Sequence, residues 1–306
     1  MKKVLVVTVK PFAPEAVAEI EKVLDEAGYE MNLLEKYENN DQLLEAVAEV
    51  DAMIIRSDKV TAEVLAAANN LKIVVRAGAG YDNIDLAAAT NEGVVAMNTP
   101  GQNSNAVAEL ALGMMVYMAR GSYNGSAGSE LKGKTLGIHA YGHVGSLVAN
   151  IAKGFGMNVL AFDPFVPAEL IEKDGVKALG SVEELYAASQ YISLHIPANE
   201  KTRNSINFDL LNLMPKGATL VNTARKEVID EESLMRMFAE RLDFRYISDI
   251  APDNAEEIAV AYPDRYFFTP KKMGAQTAEA NINAGIAAAN QIVNFLEDGD
   301  TSFKVN

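Results

Sequence analysis

Residues 135–163, TLGIHAYGHVGSLVANIAKGFGMNVLAFD, place small residues, helix-starting N–H groups and a carboxylate where a phosphate-bearing nucleotide could be held. Thr135 to Ala140 is apolar and short enough for a buried parallel strand. Tyr141-Gly142-His143-Val144-Gly145 then turns it into a helix whose Val144, Leu147, Val148, Ile151 and Ala152 share one face. Such a turn must let the backbone approach a pyrophosphate and aim the N–H groups of a helix N-terminus at its charge. Gly142 and Gly145 supply the second and third small positions of that fingerprint. Ala140 stands at the first, which the turn accepts only if its φ is negative. Asn158 to Phe162 is the next strand. Asp163, followed by Pro164, lies eighteen positions past Gly145, where a carboxylate accepts from both ribose hydroxyls and repels a 2′-phosphate. The reading is NAD, with an ordinary glycine-containing strand-to-helix turn as the plainer alternative.

The second set of chemistry-bearing residues is cationic. With 27 basic and 42 acidic residues the formal charge is -15, which argues against a nucleic-acid or anionic-membrane surface. An anionic substrate must be caught by local cations. Three strand ends offer polar or glycine residues: Lys10-Pro-Phe, Arg56-Ser57-Asp58-Lys59, and Arg76-Ala-Gly78-Ala79-Gly80. Turn chemistry explains each alone, but their shared position points to a substrate crevice. The chain has no cysteine, which excludes disulfides, thiolate catalysis and zinc–thiolate sites and suits a reducing compartment. No metal site is expected. Met1-Lys-Lys precedes too short an apolar run for a signal segment, so a soluble, cytoplasmic protein is expected.

The elements that position these residues alternate. Strands are predicted at 3–9, 30–34, 52–56, 71–76 and 93–97, with helices at 14–27, 41–49 and 61–68 between them. Asn98-Thr-Pro-Gly101 breaks the chain before a long apolar helix at 104–120 and a Gly/Ser-rich connector at 121–133. After the nucleotide-binding segment come strands at 191–196, 218–222, 245–248 and 265–268. A last helix, 277–297, carries Ile282, Ile286, Ala289, Val293 and Leu296 on one stripe and is free to cross back to the first domain. The fold class is α/β: two doubly wound parallel-sheet (Rossmann/flavodoxin-like) domains with a cleft between them. Residues 1–97 plus 276–306 form a discontinuous substrate-binding domain, and 98–275 the NAD-binding domain.

RAGAGYDNID at 76–85, NTPGQNSNAVAELALG at 98–113, LKGKTLGIHAYGHVG at 131–145, SLHIP at 193–197 and LVNTARKEVID at 220–230 resemble the successive signatures of the D-2-hydroxyacid dehydrogenases. The length and the ending GAQTAEANINAG at 274–285 are most similar to the short D-3-phosphoglycerate dehydrogenase branch, which lacks regulatory domains; serine feedback through such a domain is not expected. The resemblance implies roles residue by residue. Arg225 clamps the substrate carboxylate and polarises the C2 oxygen. Ala79 and Gly80 present amides to that carboxylate, Asn103 stands beside the reacting carbon, and Arg56 and Ser57 meet the distal end with help from Lys10 or Lys59. Asp249 holds the nicotinamide carboxamide. Thr223 and Ala224 belong to the cofactor set, and His195 and Pro197 wall the adenine site, His195 as a packing residue.

One departure decides the mechanism. Most of the family uses a histidine after a Thr-Pro, paired with a glutamate. Here the three histidines, His139, His143 and His195, all lie in the cofactor half, and Thr269-Pro270 is followed by Lys271-Lys272-Met273-Gly274. Register from Thr269 makes Lys271 the replacement; register from Gly274 makes it Lys272, which we prefer. The glutamate position is Asn254. That loss is physically coherent, because a carboxylate raises a histidine whereas a lysine must be lowered, by burial and by a nearby Arg225, to accept a proton at neutral pH. The pair of changes resembles a lysine-using subgroup of phosphoglycerate dehydrogenases. The implied activity is NAD-linked oxidation of 3-phospho-D-glycerate to 3-phosphohydroxypyruvate, the entry to serine synthesis. The alternatives are a glyoxylate or hydroxypyruvate reductase, and a non-catalytic NAD(H)-sensing regulator. The apolar 104–118 helix, with Met114, Met115, Val116 and Met118, reads either as domain core or as a homodimer face, and we favour the dimer.

Overall fold

The computed structural model describes all 306 residues and divides into two compact units, Met1–Asn103 with Gln276–Asn306, and Ser104–Ala275. The first join falls at 103/104 and not at 97/98. Asn98 ends a strand, its side chain donates to the Ala79 carbonyl, and its carbonyl accepts from Gln291, so residues 98–103 stay with the first unit.

The first unit holds β1 (Lys3–Thr8), β2 (Glu30–Glu35), β3 (Ala52–Ile55), β4 (Ile73–Arg76) and β5 (Val95–Asn98). They form one parallel sheet in the order β2-β1-β3-β4-β5. Both faces are covered, so the strands read as continuous apolar runs rather than as alternation. Val4, Val6, Ile54 and Val75 pack with Ile20 of the Pro14–Glu26 helix and with Ala288 and Ile292 of Ala278–Asp298. Leu5, Val7, Met53, Ile55 and Val74 pack with Leu43 and Val64 on the other face. The last helix begins at Thr277, whose hydroxyl accepts the Ala280 N–H at 3.1 Å, and ends on Gly299 at φ 72°. Its buried line is Ala280, Ala284, Gly285, Ala288, Ala289 and Ile292, so Ala289 of the expected stripe is buried, while Ile282, Ile286, Val293 and Leu296 flank it half-buried. Small residues set the close approach: a Cβ on Gly285 would stand 2.7 Å from Ile20 Cδ1.

The second unit holds β6 (Thr135–His139), β7 (Asn158–Phe162), β8 (Lys177–Ala178), β9 (Tyr191–Leu194), β10 (Thr219–Asn222), β11 (Arg245–Ser248) and β12 (Tyr266–Phe268). The order is β12-β11-β10-β9-β6-β7-β8, all parallel. The strand order reverses between β6 and β9, and ligands of such sheets sit beyond the carboxyl ends at that reversal. The glycine turn after β6 and His195 after β9 flank it. In the Ser104–Ala119 helix, Ala108, Ala111, Leu112, Met114, Met115 and Met118 are buried in this unit's own core. That burial explains an apolar composition for which the sequence also allowed a second copy. No helix is long and apolar enough to cross a membrane.

Candidate active site

The turn from β6 into the His143–Gly154 helix is built by contacts the sequence partly announces. The Ala140 N–H donates to the Phe162 carbonyl at 2.9 Å, and the Tyr141 N–H to Asp163 Oδ2 at 2.8 Å. These pin Ala140 at φ 80°, in the left-handed region, contrary to the expectation that it stays negative. Keeping an alanine there costs about 1–2 kcal/mol. Gly145 has a different reason to be glycine: a Cβ would lie 2.2 Å from the Ala140 carbonyl oxygen and 3.0 Å from Ile138 Cγ2. At Gly142 a Cβ would meet nothing within 4 Å. No side chain caps this helix, so its first N–H groups face outward without one. Tyr141 itself is buried, its hydroxyl donating to Asp174 at 3.0 Å, while His143 is exposed at the first helical position. Val144 packs against the core.

Asp163 follows β7 and uses each oxygen once, Oδ2 for Tyr141 N–H and Oδ1 for Phe165 N–H at 2.8 Å. Each oxygen keeps a lone pair for another donor. Pro164 beside it is exposed. An uncapped helix end, a contact at Gly145 with no room for a Cβ, and this carboxylate together fit a dinucleotide. The interior histidines are neutral around pH 7. Burial lowers His139 to about 4, and its Nδ1 lies 3.3 Å from the Tyr186 hydroxyl. Burial, with a smaller effect of His139, lowers His195 to about 3, with Nε2 at 2.9 Å from Ser193 Oγ. Pro197 is exposed.

Beyond β10 the backbone turns around Asn222, which sequence reasoning passed over. Its Oδ1 accepts the Ala224 N–H at 2.9 Å, and its Nδ2 donates to the Arg225 carbonyl at 3.0 Å and reaches the Tyr246 hydroxyl at 3.3 Å. The Asn-Thr-Ala-Arg spacing of an Asx turn was the available signal. Arg225 is half-buried, with Nη1 donating to the Ala224 carbonyl at 3.0 Å; Thr223 is buried and its hydroxyl has no partner. Asp249, after β11, has no exposed surface and is bonded by Thr269, Met273 and Gly274 of the lysine loop. Lys271 and Lys272 are both exposed, whereas burial was expected for a lysine base. Asn254 donates to the Glu231 carbonyl at 3.3 Å, and its Oδ1 is buried without a partner.

In the first unit, Arg56 is already engaged. Nη1 donates to the Lys10 and Pro11 carbonyls at 3.0 and 2.9 Å, Nη2 to Asn281 at 2.6 Å, and the guanidinium lies 4.9 Å over the Phe12 ring. Lys10, Ser57 and Lys59 line a cavity of about 490 Å³ together with Tyr37 and Asp58. Asp58, part of the strand-end segment expected here but given no role of its own, is buried: it accepts from Val9 N–H at 2.8 Å and the Tyr37 hydroxyl at 3.0 Å, and burial first, then this carboxylate, raise Tyr37 to about 12. The 78–80 loop is fixed by Thr99, whose hydroxyl accepts the Gly78 N–H at 2.6 Å, which leaves Ala79 exposed and Gly80 half-exposed. Asn103 is half-buried just before the 104–119 helix.

Parallel strands that reverse at β6/β9, the glycine turn, and a carboxylate at the end of β7 define a dinucleotide-binding α/β protein. Residues 102–270 match the model of the D-isomer specific 2-hydroxyacid dehydrogenase, NAD binding domain. The chain belongs to that family, and its second unit carries the NAD-binding domain. It is 36% identical to the D-3-phosphoglycerate dehydrogenase of Methanocaldococcus jannaschii over 84% of this chain and 52% of the relative. It is 37% identical to the hydroxypyruvate reductase of Thermotoga maritima over 86% of this chain and 90% of the relative. The NAD+-bound 3-phosphoglycerate dehydrogenase structure from Entamoeba histolytica is 45% identical, with TM-score 0.87, covering 100% of this chain and 98% of that one. The chain spans about half the length of several of the curated relatives it matches.

Proposed function

We propose that this protein oxidises 3-phospho-D-glycerate to 3-phosphohydroxypyruvate with NAD, the first step of serine biosynthesis. The observation that carries this reading is full-length similarity, at 45% identity, to the Entamoeba histolytica 3-phosphoglycerate dehydrogenase. Bound NAD supplies the hydride acceptor. Arg225 offers its remaining guanidinium N–H groups to the substrate carboxylate and C2 oxygen, a planar fork suited to both. Lys272, with Lys271 as its rival, takes the hydroxyl proton. Gly142, His143, Val144 and Gly145 present the helix end to the pyrophosphate, and Asp163 accepts from the ribose. Tyr141, Pro164, His195, Pro197, Thr223, Ala224 and Asp249 complete the cofactor residues of the proposal. In the first unit, Ala79, Gly80 and Asn103 serve the substrate's reacting end; Lys10, Arg56 and Ser57 serve its distal anion. Arg56 does so with the donors left over from the Lys10, Pro11 and Asn281 bonds. A homodimer and a cytoplasmic location belong to the same reading; light scattering and cell fractionation test them.

The test is NADH formation with 3-phosphoglycerate beside D-glycerate and D-lactate, from pH 7 to 10. Phosphate-dependent turnover that rises with pH is expected. The similarity to the Thermotoga maritima hydroxypyruvate reductase, over 90% of that protein, supports a second reading, reduction of hydroxypyruvate or glyoxylate. Equal kcat/KM with and without the phosphate would favour it.

A further inference from the structure

We propose that Asp249 is the positioning residue for the lysine base, holding the 269–274 loop so that the root of Lys272 is fixed. This rests on the lysine-base reading above. Asp249 is fully buried at the end of β11, its own N–H donating to the Asn222 carbonyl at 3.0 Å. Its Oδ1 lies 3.0 Å from the Thr269 hydroxyl, which also reaches the Asp249 carbonyl at 2.9 Å. The same Oδ1 accepts the Met273 N–H at 2.7 Å, and Oδ2 accepts the Gly274 N–H at 2.8 Å. One carboxylate therefore ties both ends of the loop, and Pro270, Lys271 and Lys272 span the interval between.

The anchored Met273 N–H belongs to the peptide that begins at the Lys272 carbonyl carbon. Lys271 is separated from that anchor by a further peptide. Tethering thus fixes the backbone of Lys272 while the residue stays exposed, and a held root narrows the positions from which its amine can accept a proton. The carboxylate itself is required: three donors converge on its two oxygens, and an amide would aim an NH₂ at one of them. Gly274 completes the fit, since a Cβ there would lie 3.0 Å from Asp249 Oδ2 and 3.1 Å from Val107 Cγ2. This role is separate from the nicotinamide contact that family resemblance gives the residue.

Amide hydrogen exchange tests the tether without reference to turnover. Met273 and Gly274 should exchange at least about 100-fold more slowly than unprotected amides, and Asp249→Asn should remove most of that protection. Thr269→Val, which leaves Asp249 in place, is the second variant should Asp249→Asn fold poorly. Gly274→Ala displaces the loop from its anchor; we expect kcat to fall by about 10- to 100-fold with KM for NAD nearly unchanged, a split that general destabilisation would not give. Unprotected Met273 and Gly274 in the unmodified protein would overturn the proposal, as would protection that survives Asp249→Asn. If Lys271→Ala alone abolishes turnover, a lysine base exists but the tether serves no catalyst at Lys272, and the proposal falls. Full kcat in both single lysine variants would refute the lysine-base reading itself, whatever the exchange rates show.

Discussion

Gly142 and Gly145 lie three residues apart in one turn, yet alanine at each should do opposite things. At Gly145 the new Cβ would sit 2.2 Å from the Ala140 carbonyl oxygen, well inside contact distance. Neither partner can yield cheaply. The oxygen is backbone, its residue is held by the bond to Phe162, and Ala140 already occupies the left-handed region. Overpacking of a well-filled site costs about 1–3 kcal/mol, and the upper end applies where backbone must move. For a unit of this size that corresponds to a fall in Tm of roughly 6–12 °C. At Gly142 a Cβ meets open space and φ is -85°, so the same change should leave stability within about 0.5 kcal/mol. The Cβ would instead stand at the uncapped helix end that is proposed to face the pyrophosphate, and NADH should bind at least about tenfold more weakly, about 1.4 kcal/mol. Thermal unfolding and NADH fluorescence titration of the two variants separate the cases. The reasoning is refuted if Gly145→Ala melts with the parent protein, or if Gly142→Ala keeps full NADH affinity.

Three further outcomes are expected. Ala140→Gly should raise stability by about 0.5–1 kcal/mol, because relief of the left-handed strain exceeds the backbone entropy of the new glycine; a loss in urea unfolding would show that the turn carries no strain. Arg225→Lys should lower kcat/KM by about 100-fold or more, since an ammonium cannot hold carboxylate and C2 oxygen with one planar fork; steady-state kinetics with near-normal NADH binding checks it. Folded-state values near 4 and 3 for His139 and His195 lie below the ordinary 6.5, so their contribution is fully present above pH 6.5. It is lost as pH falls toward those values, because only the unfolded chain takes up the protons. Stability should drop by roughly 1 kcal/mol per histidine per pH unit across that window. A flat stability between pH 7 and 4.5 would contradict the burial of both rings.

The alternation of strands and helices, both parallel sheets and the glycine turn were legible because buried parallel strands are short apolar runs and the turn's small residues sit at fixed spacing. What escaped the sequence was set by tertiary contact. The sign of φ at Ala140 depends on bonds to Phe162 and Asp163 across the sheet. The fine face of the last helix depends on where Ile20 stands, so Gly285 faces it while Ile282 and Ile286 are only half-buried. Asp58 and Asn222 lie in segments that the sequence singles out, but the part each plays is set by a few bonds to the backbone of the packed unit. Arg56 was recognised by its charge, while its commitment to the Lys10 and Pro11 carbonyls and to Asn281 is a property of the packed unit.

The histidines explain why a lysine matters to this chain. A proton acceptor for alcohol oxidation works best with a pKa near the working pH. His139 and His195 cannot meet that condition: burial holds them near 4 and 3, and each ring nitrogen that is engaged faces an internal hydroxyl, of Tyr186 or Ser193. His143 is exposed, but it opens the helix whose N-terminus favours negative charge and is proposed to face the dinucleotide. The proposed base therefore lies elsewhere, in the 269–274 loop, which offers two cations on a backbone tied to a buried carboxylate. Turnover limited by deprotonation of such an amine should rise with pH, well above the values near 4 and 3 at which His139 and His195 change charge. Loss of turnover in His143→Gln with both single lysine variants active would point back to that ring and away from the loop.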